Sequence, residues 1–158
     1  VQKELGDFLS ILPRICRSIP SPNRIFLKGK PGEYRTLSER LATLNIPNLT
    51  LLDDEVCLFE LIDSECFYLF PSSSNSGLDL LSKGMKAIAY NWGSSEDPLV
   101  QEYKHLQVPI IDFNDIPNFD RLVIVFNELN LGHIKEELET RAVISQKILR
   151  ERFKEMLE

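Results

Sequence analysis

The stretch CFYLFPSSSNSGLDLLSKGMKAIAY, residues 66–90, decides the fold of this chain. It contains a short uncharged apolar run at 66–70, a serine-rich turn at 71–77, a helix with apolar spacing and a second apolar run at 87–90. Uncharged runs of this length on either side of a helix are typical of buried strands in a parallel sheet. Gly84 is suited to end the helix at its C′ position. The stretch therefore predicts a strand, helix and strand in succession.

The rest of the chain continues this alternation of helix and strand. The other predicted elements are an opening helix, a strand at 24–29, a helix at 37–44, a strand at 49–52, a short helix at 56–62, a helix from 98, a strand at 108–113 and two helices from 117 onward, the last of about 25 residues. Such alternation predicts an α/β fold with a three-layer, Rossmann-like parallel sheet, helices on both faces and a long C-terminal helix. The length predicts a single domain over residues 1–158.

Local sequence patterns indicate where several helices begin or break. Thr36 and Glu39 form a T-x-x-E capping box for the helix at 37–44. Asp97 followed by Pro98 is a favourable N-cap and N1 pair. Pro13 predicts that the opening helix is kinked or divided in two. Because that helix needs a sheet to pack on and no strand precedes it, we expect the chain to follow a strand of a longer protein.

The acidic run at 53–55 has two interpretations. Asp54 is a plausible N-cap for the short helix at 56–62. Alternatively, Asp53 and Asp54 after a strand resemble the acid pair of a phospho-acceptor receiver domain. Receivers carry that pair after their first strand, whereas about 50 residues precede it here. The N-cap interpretation is therefore favoured, and the receiver remains a minor alternative.

Composition limits the classes of partner. The chain has 158 residues, a net charge of −6 and no cluster of lysine and arginine, so we expect no nucleic-acid partner. Cys16, Cys57 and Cys66 are odd in number and lack C-x-x-C spacing, which predicts reduced core cysteines. The sequence shows no transmembrane run and no signal-peptide pattern. We therefore expect a cytoplasmic protein, with peripheral docking at the inner membrane left open.

The polar residues that carry chemistry follow the predicted strands. The turn offers hydroxyl, amide and backbone groups that suit a phosphate; its candidate residues are Ser73, Ser74, Asn75, Ser76 and Gly77. Lys28, Lys30 and Arg35 offer positive charge, and Asp79 offers a carboxylate for ribose hydroxyls. Together they predict a site for a nucleotide or nucleotide sugar. No Asp-x-Asp motif or His/Cys ligand cluster predicts a metal.

Each of these residues also has a structural interpretation. Ser74 or Ser76 would equally serve as a helix cap. Lys30 and Arg35 would equally be solvated surface charges, and Asp79 would favour the helix N-terminus without any ligand. These alternatives stay open at the level of sequence.

Two segments resemble motifs of GT-B-fold glycosyltransferases that assemble surface and capsular polysaccharides. In SSSNSGLDLLSKGMKAI the matching positions are Gly77, Leu78, Asp79, Leu81 and Gly84. In LKGKPGEY the matching positions are Pro31, Gly32 and Glu33, while Lys30 stands where the family has a histidine. Asp79 replaces a glutamate of the family, and Gly84–Met85–Lys86 replaces its Gly-Lys-Pro. The resemblance covers residues 24–92 and is nearest to capsule-type transferases that use cytidine-activated sugars such as Kdo.

The resemblance implies a function for these residues. The chain would be the C-terminal, donor-binding half of a bacterial transferase, with a separate N-terminal acceptor domain as its partner and a glycan or glycolipid as its acceptor. The donor would be a CMP- or UDP-sugar, with no further cofactor and no metal. Lys30 would take the catalytic position, and the donor contacts would come from Lys28, Pro31, Gly32, Glu33, Ser73, Ser74, Asn75, Ser76, Gly77 and Asp79. The alternative is a degenerate GT-B-like domain kept as a non-catalytic interaction module.

Overall fold

The computed structural model describes residues 2–57, 60, 63 and 65–157. Within these residues the chain alternates between helices and short strands. In order, the elements are α1 (Gln2–Ser18), β1 (Ile25–Leu27), α2 (Tyr34–Ala42), β2 (Leu49–Leu51), β3 (Phe67–Pro71), α3 (Ser76–Ser82), β4 (Lys86–Tyr90), α4 (Pro98–His105), β5 (Ile110–Ile111), a 3-10 turn (Phe113–Asp115), α5 (Phe119–Asn127) and α6 (Leu131–Leu157). The predicted α/β class is confirmed.

The described strands form two parallel sheets, whereas the sequence predicted one. Strand β1 pairs with β2, and Ile25 lies opposite Leu49. Strands β3, β4 and β5 form the second sheet in that order, with Leu69 opposite Ile88 and Ala89 opposite Ile110. Each strand of the first sheet has only three residues, so its ladder ends after a few hydrogen bonds. The parallel pairing is nevertheless the pattern expected when helices connect successive strands.

The central stretch folds as predicted. Helix α3 connects parallel strands β3 and β4, and it ends at Gly84, whose φ of +75° is the left-handed conformation that glycine adopts without strain. The N–H of Gly84 bonds the carbonyl of Leu81 at 3.0 Å, and the N–H of Met85 bonds that of Leu80 at 3.0 Å. This pair of bonds is the Schellman motif. It turns the chain directly into β4.

The side chains of β4 alternate between two buried clusters. Ala87 and Ala89 pack into a cluster with residues of α3, α4 and α6. Ile88 and Tyr90 point the other way, into a cluster with residues of α1 and α5. All four side chains are at most 7% exposed. The core therefore lies on both sides of β4.

Helix α1 packs against both sheets. Its contacts with the first sheet belong to a cluster built around Leu9, Leu12, Cys16 and Leu37. Its contacts with the second sheet come from Ile11 and Ile15. Pro13 lies inside one helix from Gln2 to Ser18, so the predicted division in two is wrong. Apolar side chains on either side of Pro13 are buried, and this packing favours one continuous helix.

Helix α2 begins earlier than predicted. Its N-cap is Glu33, and Thr36 lies inside the first turn, so the capping box of Thr36 and Glu39 is wrong. The Glu33 carboxylate accepts a hydrogen bond from the N–H of Lys30 at 2.8 Å, which fixes the approach to the helix. Glu39 instead pairs with Arg35, one turn back, at 3.2 Å.

Helix α6 is long, as predicted, and only its first part is covered by the domain. Ile134 is 1% exposed and packs into the core, and Arg141 forms a salt bridge to Glu102 of α4. From residue 142 to 157 every side chain is exposed. The large apolar side chains exposed on this part are Val143, Ile144, Ile148, Leu149, Phe153, Met156 and Leu157.

Among the described residues, no helix has the length and apolar character needed to cross a membrane. The three cysteines are free thiols. Cys16 is buried as predicted, and burial raises the pKa of its thiol to about 11. Cys57 is exposed, so its assignment to the core is wrong. The predicted short helix at 56–62 falls largely outside the described residues.

Helix α4 starts at the predicted cap, and this cap provides a test of the fold. The Asp97 carboxylate accepts a hydrogen bond from the N–H of Leu99 at 2.8 Å, and Pro98 follows at N1. We expect Asp97→Ala to lower the free energy of unfolding by about 1 kcal/mol, because that N–H loses its partner. Urea denaturation of the two proteins measures the difference. Asp97→Asn is the control and should retain most of the stability, and a loss equal to that of Asp97→Ala would contradict the capping role.

Candidate functional site

The candidate site lies in the loops that follow the parallel strands. These loops span residues 28–33 after β1, 52–55 after β2, 72–75 after β3 and 91–97 after β4. Neighbouring parallel strands end at the same edge of their sheet, so the first two loops share one edge and the last two share another. In parallel α/β sheets this is the edge that binds ligands.

The loops after β1 and β2 are joined through Asp54. Its carboxylate accepts a hydrogen bond from the N–H of Gly32 at 3.0 Å. The Lys28 ammonium donates to the backbone carbonyls of Asp53 and Asp54 at 3.3 and 3.5 Å. Gly32 has a φ of +88°, a conformation that glycine adopts readily. Lys28 and Gly32 therefore have structural roles in holding the two loops together.

Lys30 and Arg35 are both exposed basic residues of this region. Lys30 has an exposed side chain, and within the described chain its ammonium forms no salt bridge or hydrogen bond. Its backbone N–H donates a hydrogen bond to the Glu33 carboxylate. Pro31 is exposed between them. The geometry leaves the Lys30 ammonium available to an anion, whereas Arg35 is partnered by Glu39.

The turn between β3 and α3 is held by the buried Ser72. Ser72 is 1% exposed, and its N–H donates to the carbonyl of Tyr90 at 2.9 Å. Its hydroxyl accepts from the N–H of Trp92 at 3.0 Å and donates to the Trp92 carbonyl at 3.1 Å. Ser72 therefore connects the loop after β3 to the loop after β4. Its hydroxyl is used inside the protein.

The next serines are also engaged within the turn. The hydroxyls of Ser74 and Ser76 lie 2.6 Å apart, and the N–H of Ser76 donates to the Ser74 hydroxyl at 3.2 Å. The carbonyl of Ser74 accepts a hydrogen bond from the hydroxyl of Tyr103. Burial raises the pKa of Tyr103 to about 12, so this hydroxyl stays protonated and donates at neutral pH. The Ser74 hydroxyl thus stabilises the turn that precedes α3, whereas the N-cap residue of the helix is Asn75.

The first turn of α3 carries the remaining predicted residues. Asn75 is the N-cap residue, and its side chain makes no capping hydrogen bond. Gly77 is buried against Phe70: a Cβ built on Gly77 would lie 2.2 Å from the Phe70 ring. Asp79 is exposed in the first turn, and Ser73 is half-buried in the preceding loop. The glycine is thus required for close packing, whatever the turn binds.

Three backbone N–H groups of this turn have no hydrogen-bond partner among the described residues, and one of them belongs to the buried Gly77. Within the described part of the chain, no hydrogen bond takes up the N–H groups of Ser73, Asn75 or Gly77. They alternate with the N–H groups of Ser74 and Ser76, which are bonded within the turn to the Pro71 carbonyl and the Ser74 hydroxyl. The turn therefore presents backbone donors, where the sequence suggested serine hydroxyls.

The structure brings the predicted residues together in two groups. Lys28, Lys30, Gly32 and Glu33 belong to the group around Asp54, and the serines with Gly77 and Asp79 belong to the group around Ser72. No hydrogen bond, ion pair or ring contact between described residues joins one group to the other. In the described ranges, no group of three His, Cys, Asp or Glu residues is arranged to hold a metal ion.

A further polar groove was missed at the level of sequence. It has a volume of about 300 Å³ and lies between α1 and the segment after β5; it is lined by Asp7, Ser10, Ile11, Arg14, Phe113 and Asn114. The Phe113 ring belongs to an aromatic cluster in which its centroid lies 6.0 Å from that of Phe8 and 6.0 Å from that of Tyr90. The sequence carries one signal for this groove, which is the spacing of Asp7, Ser10 and Arg14 at i, i+3 and i+7. This spacing places the three residues on one helix face.

Comparison with protein-family models, with curated proteins and with solved structures finds no match to this chain. The geometry of the site offers backbone donors and an exposed carboxylate in the group around Ser72, and a lysine ammonium in the separate group around Asp54.

Proposed function

We propose that this chain is the donor-binding domain of a GT-B-like glycosyltransferase and binds a nucleotide sugar such as a CMP- or UDP-sugar. Its catalytic partner would be an acceptor domain, and its acceptor a glycan or glycolipid of the cell surface. We also propose that the fold is a three-layer, Rossmann-like arrangement and that the protein acts in the cytoplasm close to the inner membrane. The parallel strands and the loops at their carboxyl ends support it, because such sheets bind nucleotides at that edge.

The observation that carries the proposal is the fixed turn after β3 with its available N–H groups. Ser72 and Tyr103 hold this turn through hydrogen bonds, so its shape is set before a ligand arrives. The unbonded N–H groups of Ser73 and Asn75 would donate to a phosphate of the donor. Pre-organised donors of this kind stabilise the charge that develops on a leaving group without reorganisation.

Side chains would complete the donor site. The exposed Lys30 ammonium would supply positive charge from the loop after β1 and take the catalytic position that the resemblance gives it. Asp79, one turn into α3, would accept hydrogen bonds from ribose hydroxyls. The loop after β1 would be held in shape by Lys28, Gly32 and Glu33. The polar groups of these residues are already bonded to Asp53, Asp54 and Lys30.

A nucleotide titration tests this proposal. The protein is titrated with CMP, UMP, CDP or UDP, and the titration is followed by ¹⁵N NMR. We expect the nucleotide to shift the amide signals of Ser73–Asp79 and Lys28–Glu33. The double variant Lys30→Ala, Asp79→Ala should weaken binding by about tenfold, because it removes the positive charge of Lys30 and the charge-assisted contact of Asp79 to ribose. The matched control is Lys147→Ala, Asp120→Ala, which removes the same charges from exposed positions on α6 and α5.

Two results would contradict the proposal. One is the absence of any amide shift in these loops at millimolar nucleotide. The other is binding that the site variant and the control variant weaken equally, since a general loss of charge would then explain both.

An interaction module without catalysis is the second candidate. The observation that favours it is the second half of α6, where apolar side chains such as Leu149 and Phe153 are more than 60% exposed. Exposed apolar faces of this kind mark interaction surfaces. The two candidates respond differently to the double variant. A donor domain loses nucleotide affinity at the loops after β1 and β3, whereas an interaction module keeps its partner.

A further inference from the structure

The groove between α1 and the segment after β5 is built from the ends of two strands. Asp112 follows β5 and caps the 3-10 turn, its carboxylate accepting from the N–H of Asn114 at 2.8 Å. Asn91 follows β4, and its side-chain oxygen accepts from the N–H of Phe113 at 2.6 Å. The wall formed by Phe113 and Asn114 is therefore positioned by the carboxyl ends of β4 and β5, at the edge where parallel sheets bind ligands.

The opposite wall presents two separate charges. Asp7 and Arg14 lie two helical turns apart on α1, a rise of about 10.5 Å along the axis. Both side chains are exposed, and in the part of the chain that the structure describes neither forms an ion pair or a hydrogen bond. Ser10 lies between them, and its hydroxyl is bonded to the carbonyl of Asp7 at 2.7 Å. The groove thus has an acceptor at one end and a cation at the other.

An aromatic surface accompanies the two charges. Phe113 is half-buried and is one of the residues that line the groove, and contacts with the rings of Phe8 and Tyr90 restrict the movement of its ring. A planar ligand in the groove would stack on this ring. The guanidinium of Arg14 suits a phosphate, which it binds through two parallel hydrogen bonds. The carboxylate of Asp7 accepts hydrogen bonds and repels a carbonyl oxygen placed against it.

We propose that this groove binds a nucleoside monophosphate whose base carries an exocyclic amino group. The base stacks on Phe113 and donates its amino hydrogens to Asp7, and the phosphate binds Arg14. Cytosine and adenine carry such an amino group, whereas uracil has a carbonyl oxygen in the corresponding place and is disfavoured. This site is distinct from the proposed donor loops after β1 and β3 and does not depend on them.

Calorimetric titration of the whole chain with CMP, AMP and UMP tests the proposal, with ¹⁵N NMR to locate the shifts. We expect CMP and AMP to shift the amide signals of residues 7–14 and 113–114 and to bind at least tenfold more tightly there than UMP. Asp7→Asn should reduce this preference to about threefold or less, because an amide offers both a donor and an acceptor. Arg14→Gln should weaken CMP and AMP about tenfold and leave the binding of cytidine, which lacks phosphate, unchanged.

The controls distinguish this site from the donor loops. Arg17→Gln removes a second exposed arginine of α1 that does not line the groove, and it should leave CMP binding unchanged. Equal affinity for CMP and UMP in the groove would overturn the proposal, as would the absence of shifts at residues 7–14 and 113–114. Shifts confined to Ser73–Asp79 and Lys28–Glu33 would overturn it while supporting the donor site alone.

Discussion

Gly77→Ala is expected to lower the free energy of unfolding by about 3 kcal/mol, since a methyl group at this position overpacks the core. The new Cβ would lie 2.2 Å from Cζ of Phe70, well inside van der Waals contact. The Phe70 ring has little room to move, because it is 3% exposed and packs against Tyr103 with ring centroids 5.0 Å apart. Chemical denaturation followed by circular dichroism measures the loss.

A matched glycine provides the control for this substitution. Gly132 lies in α6, and the nearest atom to its built Cβ is an oxygen of Asn130 at 3.9 Å. Gly132→Ala should therefore leave stability unchanged or raise it slightly, because alanine favours the helix. The double variant Phe70→Leu, Gly77→Ala should lose less stability than the two single variants lose in sum, because the smaller side chain at position 70 gives the methyl group space. Equal stability of Gly77→Ala and Gly132→Ala would contradict the packing.

Ser72→Ala is expected to lower the free energy of unfolding by about 2 kcal/mol. The substitution removes the hydroxyl that bonds both the N–H and the carbonyl of Trp92. Trp92 is the single tryptophan of the chain, so its fluorescence reports on the same contact. We expect its emission to shift to longer wavelength as the loop after β4 loosens and water reaches the indole.

Ser82→Ala is the control for Ser72→Ala. The Ser82 hydroxyl donates to the carbonyl of Asp79 at 2.7 Å, but it does so on the exposed side of α3, where water can replace it. We expect a change within about 0.5 kcal/mol and unaltered fluorescence. If both serines gave the same loss, the buried connection between the two loops would have no special role in stability.

The central unit of the fold could be predicted because its determinants are local. Uncharged runs defined β3 and β4, and Gly84 marked the end of α3 where its positive φ allows a Schellman motif. The start of α2 was missed because it depends on the Glu33 side chain folding back onto the N–H of Lys30, a contact that a T-x-x-E pattern does not reveal. The division of the strands into two sheets depends on tertiary packing, which the order of elements does not specify.

The candidate site was harder to predict than the fold. The sequence identified the serine-rich turn, but it could not tell whether a hydroxyl faces a ligand or the protein's own backbone. Ser72 and Ser74 face the backbone. The groove was missed because Asp7 and Phe113 lie about 100 residues apart in the chain and meet only after α1 has packed across the sheet.

The exposed half of α6 has a consequence for how this helix melts. Its first turns are anchored by Ile134 and by the salt bridge of Arg141, so residues 142–157 extend an existing helix and need no nucleation. Each residue beyond Arg141 adds one backbone hydrogen bond to the helix but buries no side chain against the domain. The boundary between helix and coil is therefore set by temperature and local sequence, and it can move along these sixteen residues while the domain stays folded. The length of the exposed part of α6 therefore depends on solution conditions such as temperature and is not fixed by the fold.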